Sequence, residues 1–389
     1  MKYLLNSLII LLLLKVTLIS SILQRDLIIY NSVIHLVIQG KGEQKILADE
    51  FYKQSLQINF TVNGDIKNCT NNSCYLNEEL NNITIEFYNE IYSCIKMFYL
   101  LNNIIEIDLS QFNISNILKL TEMFSGCSHL QKINFGNMDT SSVNYMESLF
   151  SGCSSLTSID ISNFDFSHVK DISYMFSSCV NLIEINFGNI NTSSLENMGD
   201  LFSGCSSLIS IDLSNFDTSK VINMSNMFSS CSNLVEINFG NINTSSLENM
   251  SYLFYNCSNL TSINLSNFDF SHVRNISSMF SYCSNLKEII FGNINTSSLE
   301  DMGSLFYSCS NLTSTDLSNF DTSHVTNMSH MFYRCSNLKE INLDNIDTSS
   351  VRTFKFLFNG CSNLTSINLS NFNTSQVTDM CRMFNDCKN

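Results

Sequence analysis

From about residue 97 the chain alternates between two spacings of apolar residues. Leu208, Ile211 and Leu213 follow the pattern L-x-x-I-x-L, which sets Ile211 and Leu213 on one face of a short strand. The preceding stretch has Leu195, Met198, Leu201, Phe202 and Cys205 at steps of 3, 3, 1 and 3. That spacing predicts one apolar stripe on a helix of about three turns. Ser193, with Glu196 three residues on, predicts a capping box at its start, repeated at Ser245/Glu248 and Ser297/Glu300. Between strand and helix lies SNFDTS or GNINTS, a turn-rich segment with a single apolar plug, Phe216 or Ile190. Each unit is expected to run strand, turn, short helix, return.

The unit recurs without a slip. Cysteine returns every 26 residues from Cys127 through Cys153, Cys179 and Cys205 to Cys387, and a Met/Leu-Phe pair keeps the same step from Met97-Phe98 to Met383-Phe384. A "TSIDLSNFDTSHV" form (from Leu156, Leu208, Leu260, Leu312, Leu364) alternates with an "EINFGNINTSSLENM" form (Leu182, Leu234, Leu286), giving a 52-residue beat. One coil cannot cover its own apolar positions, so neighbours must stack. The expected fold is an α/β repeat solenoid of leucine-rich-repeat type. Its parallel sheet would line the concave face and its short helices the convex face, because helices are wider than the strand spacing of ~4.8 Å.

At MFSSCSNLVEINF (Met227–Phe239) and IDLSNFDTSKVINMSNMF (Ile211–Phe228) the chain resembles the BspA-type leucine-rich repeat surface proteins of bacteria and protists, including the 26-residue repeat of mycoplasma lipoproteins. The resemblance covers roughly Met97 to the end and implies a surface interaction or adhesion role. The pattern departs at one position. The usual ladder Asn would stand three residues after the last strand Leu, whereas Asn215 stands two after Leu213 and Phe216 takes its place. The ladder geometry is therefore not carried over.

Residues 1–21, MKYLLNSLIILLLLKVTLISS, have the layout of a secretory signal peptide, with an uncleaved anchor as the alternative. Residues 22–96 are expected to form a β-rich N-terminal cap, since Val33 to Gly64 alternates apolar residues with Gly signals. Residues 97–389 would then be the solenoid. Cys69, Cys74 and Cys94 lie in the cap region and permit one disulfide of undetermined pairing.

Composition narrows the function classes. The chain has 44% hydrophobic and 14% charged residues with no Pro or Trp, which excludes disorder and collagen-like structure. A net charge of -15 argues against nucleic acid as a partner. The Cys column extends the apolar stripe and is expected to be buried free thiol, with inter-coil disulfides or a metal as lesser alternatives. His168, His272 and His324 share one register and are expected on the surface. The Thr column (Thr192, Thr218, Thr244, Thr296, Thr322, Thr348, Thr374) reads as turn chemistry rather than a ligand-binding ladder. Sequons at Asn59, Asn191, Asn223, Asn275 and elsewhere leave glycosylation open. No nucleophile or acid–base pair stands out from the repeated background, so neither an enzyme, a metal nor a cofactor is expected.

What remains is the outward side of the strands. Asp160, Glu184, Asn186, Asp212, Glu236, Asn238, Glu288, Asp316 and Glu340 make a polar, mildly acidic ribbon. The expectation is a secreted or cell-surface protein binding an extracellular protein or glycan through that ribbon, with no membrane span once the signal is cleaved. A structural coat or cell-wall component is the alternative. Met383, Phe384, Leu369 and Ile367 at the last coil add an expectation of self-association through that end.

Overall fold

In the first described strand the alternating pattern becomes one side of a core. Ile34, Leu36 and Ile38 on β1 (Ser32–Gln39) are buried, while His35 and Gln39 are exposed. The protein is known as a computed structural model that describes residues 32–52, 56–66, 69–70 and 72–387; the expected leader at 1–21 lies outside them. After β1 come β2 (Gly42–Lys45), α1 (Asp49–Tyr52), β3 (Ile58–Val62), β4 (Asp65–Ile66), β5 (Ser73–Leu76), β6 (Leu80–Phe87), β7 (Ile104–Gln111) and β8 (Lys132–Asn134). They form a sheet in the order β4-β3-β6-β1-β7-β8, with β2 and β5 paired separately. The pairing β1 to β7 is antiparallel and β7 to β8 parallel, so one sheet runs from the N-terminal segment into the first coils. Cys69 and Cys74 form the disulfide, and Cys94 is buried and free.

The coils follow as β9 (Ser158–Asp160), β10 (Glu184–Asn186), β11 (Ser210–Asp212), β12 (Glu236–Asn238), β13 (Ser262–Asn264), β14 (Glu288–Ile290), β15 (Ser314–Asp316) and β16 (Glu340–Asn342). Strand neighbours are parallel and in register, for example Ile185 opposite Ile159. The expected solenoid is present, but the helices are not. Among the described residues the only α-helix is α1, so the α/β leucine-rich-repeat-like architecture with a helical convex face is corrected to a parallel β-solenoid.

The hydrogen bonds of Leu195–Cys205 give the reason. The amides of Asp200, Phe202 and Gly204 donate to the carbonyls of Ser225, Met227 and Ser229 on the next coil at 2.8, 2.9 and 2.7 Å. The alternate amides of Leu201, Ser203 and Cys205 close three-residue turns onto Met198, Asp200 and Phe202. Asp200 and Gly204 have φ of 56° and 77°, and such left-handed residues interrupt any right-handed helix. Apolar residues at steps of 3 thus mark successive tight turns that each point one side chain inward. The proposed capping boxes are spent differently too. The Ser193 amide donates to Asn191 Oδ1 at 3.2 Å, and the Glu196 amide donates to the Lys170 carbonyl one coil away at 2.8 Å. With no helices wider than the strand spacing of ~4.8 Å on the other side among the described residues, the reason for placing the strands on a concave side disappears.

Identical residues stack in columns through the interior. Phe98 to Phe384 form an unbroken stack with centroids 5.4 to 5.9 Å apart and ring planes 2 to 24° from parallel. Each thiol of the Cys column donates to the carbonyl of the preceding coil's Phe, as Cys205 does to Phe176 at 3.1 Å. Burial pushes the thiols of Cys127, Cys205 and Cys283 up to about 12, so they stay protonated and inert.

Two polar columns tie coil to coil. The buried Thr192 hydroxyl accepts from the Asp217 amide at 2.7 Å and donates to the Asp217 carbonyl at 3.1 Å, and Thr218, Thr244, Thr296, Thr322 and Thr348 pair likewise with the following coil. The Thr column is therefore internal mortar. A second column, Asp171, Asn197, Asn223, Asn249, Asn275, Asp301 and Asn327, is joined by unbroken parallel bridges. Within it Asn223 Nδ2 donates to Asn197 Oδ1 at 3.0 Å, and Asn223 Oδ1 accepts the Ser225 amide at 3.0 Å. An amide ladder does exist, eight residues beyond the place where the pattern departs. It occupies the sequon at Asn223, whose side-chain nitrogen is already engaged.

The strand ladder, by contrast, is broken at every second coil. β9 pairs with β10, β11 with β12, β13 with β14 and β15 with β16, and among the described residues no ladder joins one pair to the next. This is the 52-residue beat in physical form. Each break carries an edge-to-face phenylalanine pair: Phe135–Phe164, Phe187–Phe216, Phe239–Phe268 and Phe291–Phe320, at 4.8, 5.1, 5.0 and 5.0 Å. Within three of the pairs the coils close up on a left-handed Gly. A Cβ on Gly188 would lie 2.7 Å from Ser162 Cβ, and one on Gly240 2.7 Å from Ser214 Cβ. At β15–β16 Asp344 takes that position and the pairing persists.

Candidate functional site

The strand ribbon is where the surface residues singled out above come together. Asp160, Glu184, Asn186, Asp212, Glu236, Asn238, Glu288, Asp316 and Glu340 are all exposed at strand ends. Register sets Asn186 beside Asp160, Glu184 beside Ser158 and Asn238 beside Asp212.

Much of this polarity is turned inward on the backbone. Asp160, Asn186, Asp212, Asn238 and Asp316 each accept, through Oδ1, the amide two residues on, at 2.8 to 3.1 Å. These are Asx turns that end each strand. Asn238 Nδ2 also donates to Asp212 Oδ1 across the pair at 3.1 Å. The Ser162, Ser214 and Ser318 hydroxyls and then their amides hold the carboxyls of Asp160, Asp212 and Asp316 below their ordinary range. The carboxylates of Glu184, Glu236, Glu288 and Glu340 stand one per second coil along the same face.

The ribbon continues where sequence reasoning did not look. Over β6, β1, β7 and β8 it opens into a cleft of about 500 Å³ lined by His35, Thr84, Glu106, Asp108, Lys132 and Asn134 among others. His35 Nδ1 lies 3.0 Å from Thr84 Oγ1, and Glu106 stands opposite Lys132. Only the antiparallel pairing of β1 with β7, across some 70 residues of chain, assembles it. A smaller cleft of about 320 Å³ sits at the break between β14 and β15, with Glu288, Asp316 and Glu340 on its walls. His168, His272 and His324 are exposed and each lies 3.0 to 3.1 Å from the hydroxyl of the preceding Ser. Among the described residues no three His, Cys, Asp or Glu side chains converge as metal ligands would. Among them, too, no helix is long and apolar enough to cross a membrane.

No curated protein matches the chain. Among solved structures, the one described as "Crystal structure of TLR13-ssRNA13 complex" is 18% identical, with a TM-score of 0.24, over 77% of this chain and 47% of that one. The chain thus spans less than half of that solved chain. A family model does match, at residues 92–209, 180–291, 205–315, 257–364 and 300–389. It replaces the resemblance to BspA-type leucine-rich repeat surface proteins, because the helical turn that defines a leucine-rich repeat is missing here. The matched segments together run from residue 92 to residue 389, and the chain belongs to the family described as "Mycoplasma protein of unknown function, DUF285".

Proposed function

We propose that the protein is a non-catalytic structural rod, a coat or wall component outside the cytosol whose work is done by its stacked coils. The observation that carries this reading is the internal use of the ribbon's polar atoms. Asp160, Asn186, Asp212, Asn238 and Asp316 hold their own turns, so these side chains serve the stack before any ligand. Placement outside the cytosol rests on the layout of residues 1–21. The test replaces Glu184, Glu236 and Glu288 together by Lys. A structural rod keeps its fractionation with the cell envelope and its unfolding profile. Release of the variant from the envelope would turn the assignment toward ligand capture by the ribbon.

That second reading, binding of an extracellular protein or glycan along the strand face, is favoured by one feature. The cleft around His35, Glu106 and Lys132 offers both signs of charge in a concave site. Under it, His35→Ala with Lys132→Ala would abolish capture of extracellular material by the purified protein without altering its melting curve.

A further inference from the structure

In a chain built from copies, a surface position that stops copying its neighbours is informative. The residue after the column Phe is Tyr99 in the first coil and Ser125, Ser151, Ser177, Ser203 and Ser229 in the next five, and then runs Tyr255, Ser281, Tyr307 and Tyr333. The next register holds Gly or Ser from Gly126 to Ser230, and then runs Asn256, Tyr282, Ser308 and Arg334. Two residues before each column Phe, where Tyr174 is the single aromatic among the earlier coils, the later coils hold Tyr252, Ser278, Ser304, His330, Phe356 and Arg382. None of these changes alters the interior columns, so the stack itself does not require them.

Folding brings them into one ledge. Tyr252, Tyr255, Tyr282, Tyr307 and Tyr333 form a continuous chain with successive centroids 5.6, 5.4, 5.1 and 4.6 Å apart. Phe356 extends it, 5.9 Å from Tyr333 and 4.9 Å from His330. Cations lie over the rings: Arg334 at 5.2 Å from the Tyr333 centroid, and Lys355 and Arg382 at 5.7 and 5.9 Å from that of Phe356. Tyr252, Tyr282, Arg334 and Arg382 are exposed.

Beside the rings runs an open groove of about 590 Å³, crossing several coils. Tyr282 and Arg334 flank a floor of Ser258, Ser284, Ser308, Ser310 and Ser336, and no carboxylate lines it although the chain as a whole carries a charge of -15. Ser258 and Ser310 donate their hydroxyl protons to the carbonyls of Ser232 and Ser284 on the preceding coil at 3.2 and 3.3 Å. Their outward lone pairs are left as acceptors.

We propose that this groove binds an acidic polysaccharide, laid lengthwise across the coils between Tyr282 and Arg334. Sugar hydroxyls would donate to the serine oxygens, the tyrosine ring would cover an apolar sugar edge, and the guanidinium would take a carboxylate or sulfate group in its planar fork. An amphipathic helix from a protein partner fits poorly, because it anchors on aliphatic side chains and no aliphatic side chain lines this groove. The inference goes beyond the structural role: it gives the rod an attachment point on a face other than the strand ribbon.

The test uses the full chain with dextran sulfate and polygalacturonate as probes, and neutral dextran and polyglutamate as controls. Binding of both acidic polysaccharides, with at least tenfold weaker binding of the controls, is expected. The variant carrying Tyr282→Ser and Arg334→Ser restores residues that other coils already bear there, so it should fold; its binding should fall at least tenfold with an unchanged melting curve. Glu184→Lys with Glu236→Lys and Glu288→Lys should leave the polysaccharide affinity of the protein standing. Equal binding of polyglutamate, equal binding by the double variant, or no binding of either acidic polysaccharide would each overturn the proposal.

Discussion

Phe187 and Phe216 meet edge to face, 5.1 Å apart at 86°, where the strand ladder between β10 and β11 is interrupted. Phe187 comes from the coil that ends one strand pair and Phe216 from the coil that begins the next. The same contact recurs at every break, while the Asn and Phe columns on the rest of the coil pass through uninterrupted. Stacking is thus continuous on one part of each coil and paired on another, with the ring pair filling the gap between pairs.

A double-mutant cycle measures that contact. Phe187→Leu and Phe216→Leu should show a coupling of about 0.5–1.5 kcal/mol in urea unfolding, the range for an aromatic pair beyond its buried area. Additive effects would mean that the rings only fill space.

The stacked Phe column should be the costliest place to make a hole. Phe202 is fully buried between Phe176 and Phe228, so Phe202→Ala is expected to cost about 3–5 kcal/mol. Since each coil is held by its neighbours, the loss should appear as early unfolding of the coils around residue 202, read by hydrogen exchange, rather than as a uniform shift.

The amide ladder predicts a graded response at one position. Asn223→Ala removes the bond to Asn197 and leaves the Ser225 amide without its acceptor, at a cost of about 1–3 kcal/mol. Asn223→Asp keeps that acceptor, as Asp171 and Asp301 do in the same column, and should fall between wild type and Ala. Equal melting points for all three would remove the ladder from the stabilising set.

Acid should loosen the turns in a defined direction. Asp165, Asp217, Asp269 and Asp321 are held below the ordinary carboxylate range, first by the hydroxyl and then by the amide of the Ser two residues on. A depressed folded-state pKa means a contribution that is full above the unfolded value of ~3.9 and is lost as pH falls through the folded one. The four-fold Asp→Asn variant keeps the acceptor oxygen, as Asn191, Asn243 and Asn295 already do. Its melting temperature should depend less on pH between about 5 and 2 than that of the wild type.

Thiol chemistry separates inside from outside. Cys381 is exposed and Cys387 half-buried, whereas the column from Cys127 to Cys361 is buried. Iodoacetamide at neutral pH should label Cys381 quickly and Cys387 more slowly, and reach the column only on unfolding. Rapid native labelling of Cys205 would contradict the packing.

The two readings of Leu195–Cys205 mark where sequence reasoning stopped. Steps of 3, 3, 1 and 3 identify the inward residues under either a helix or a run of tight turns, and those residues are indeed buried. What separates the two is the left-handed backbone at Asp200 and Gly204. Of these only the Gly carries a signal in the sequence. The Asn column was visible as the Asn or Asp preceding each Met or Ile, at Asn197, Asn223 and Asn275, but the family pattern directed attention to Asn215 instead. The cleft at His35 left no local trace, because its walls come from strands far apart in the chain.

By itself the sequence determined the coil length, the register of every column and which side chains face inward, because burial follows residue type and period and both are written locally. Only the tertiary structure decided where the backbone amides go. Their partners lie on the next coil, about 25 residues away, and that bond competes with the local helix only once a neighbouring coil stands within reach. The helical convex face fell to that competition, and the strands are paired in twos with Phe187 and Phe216 meeting across the gap between pairs.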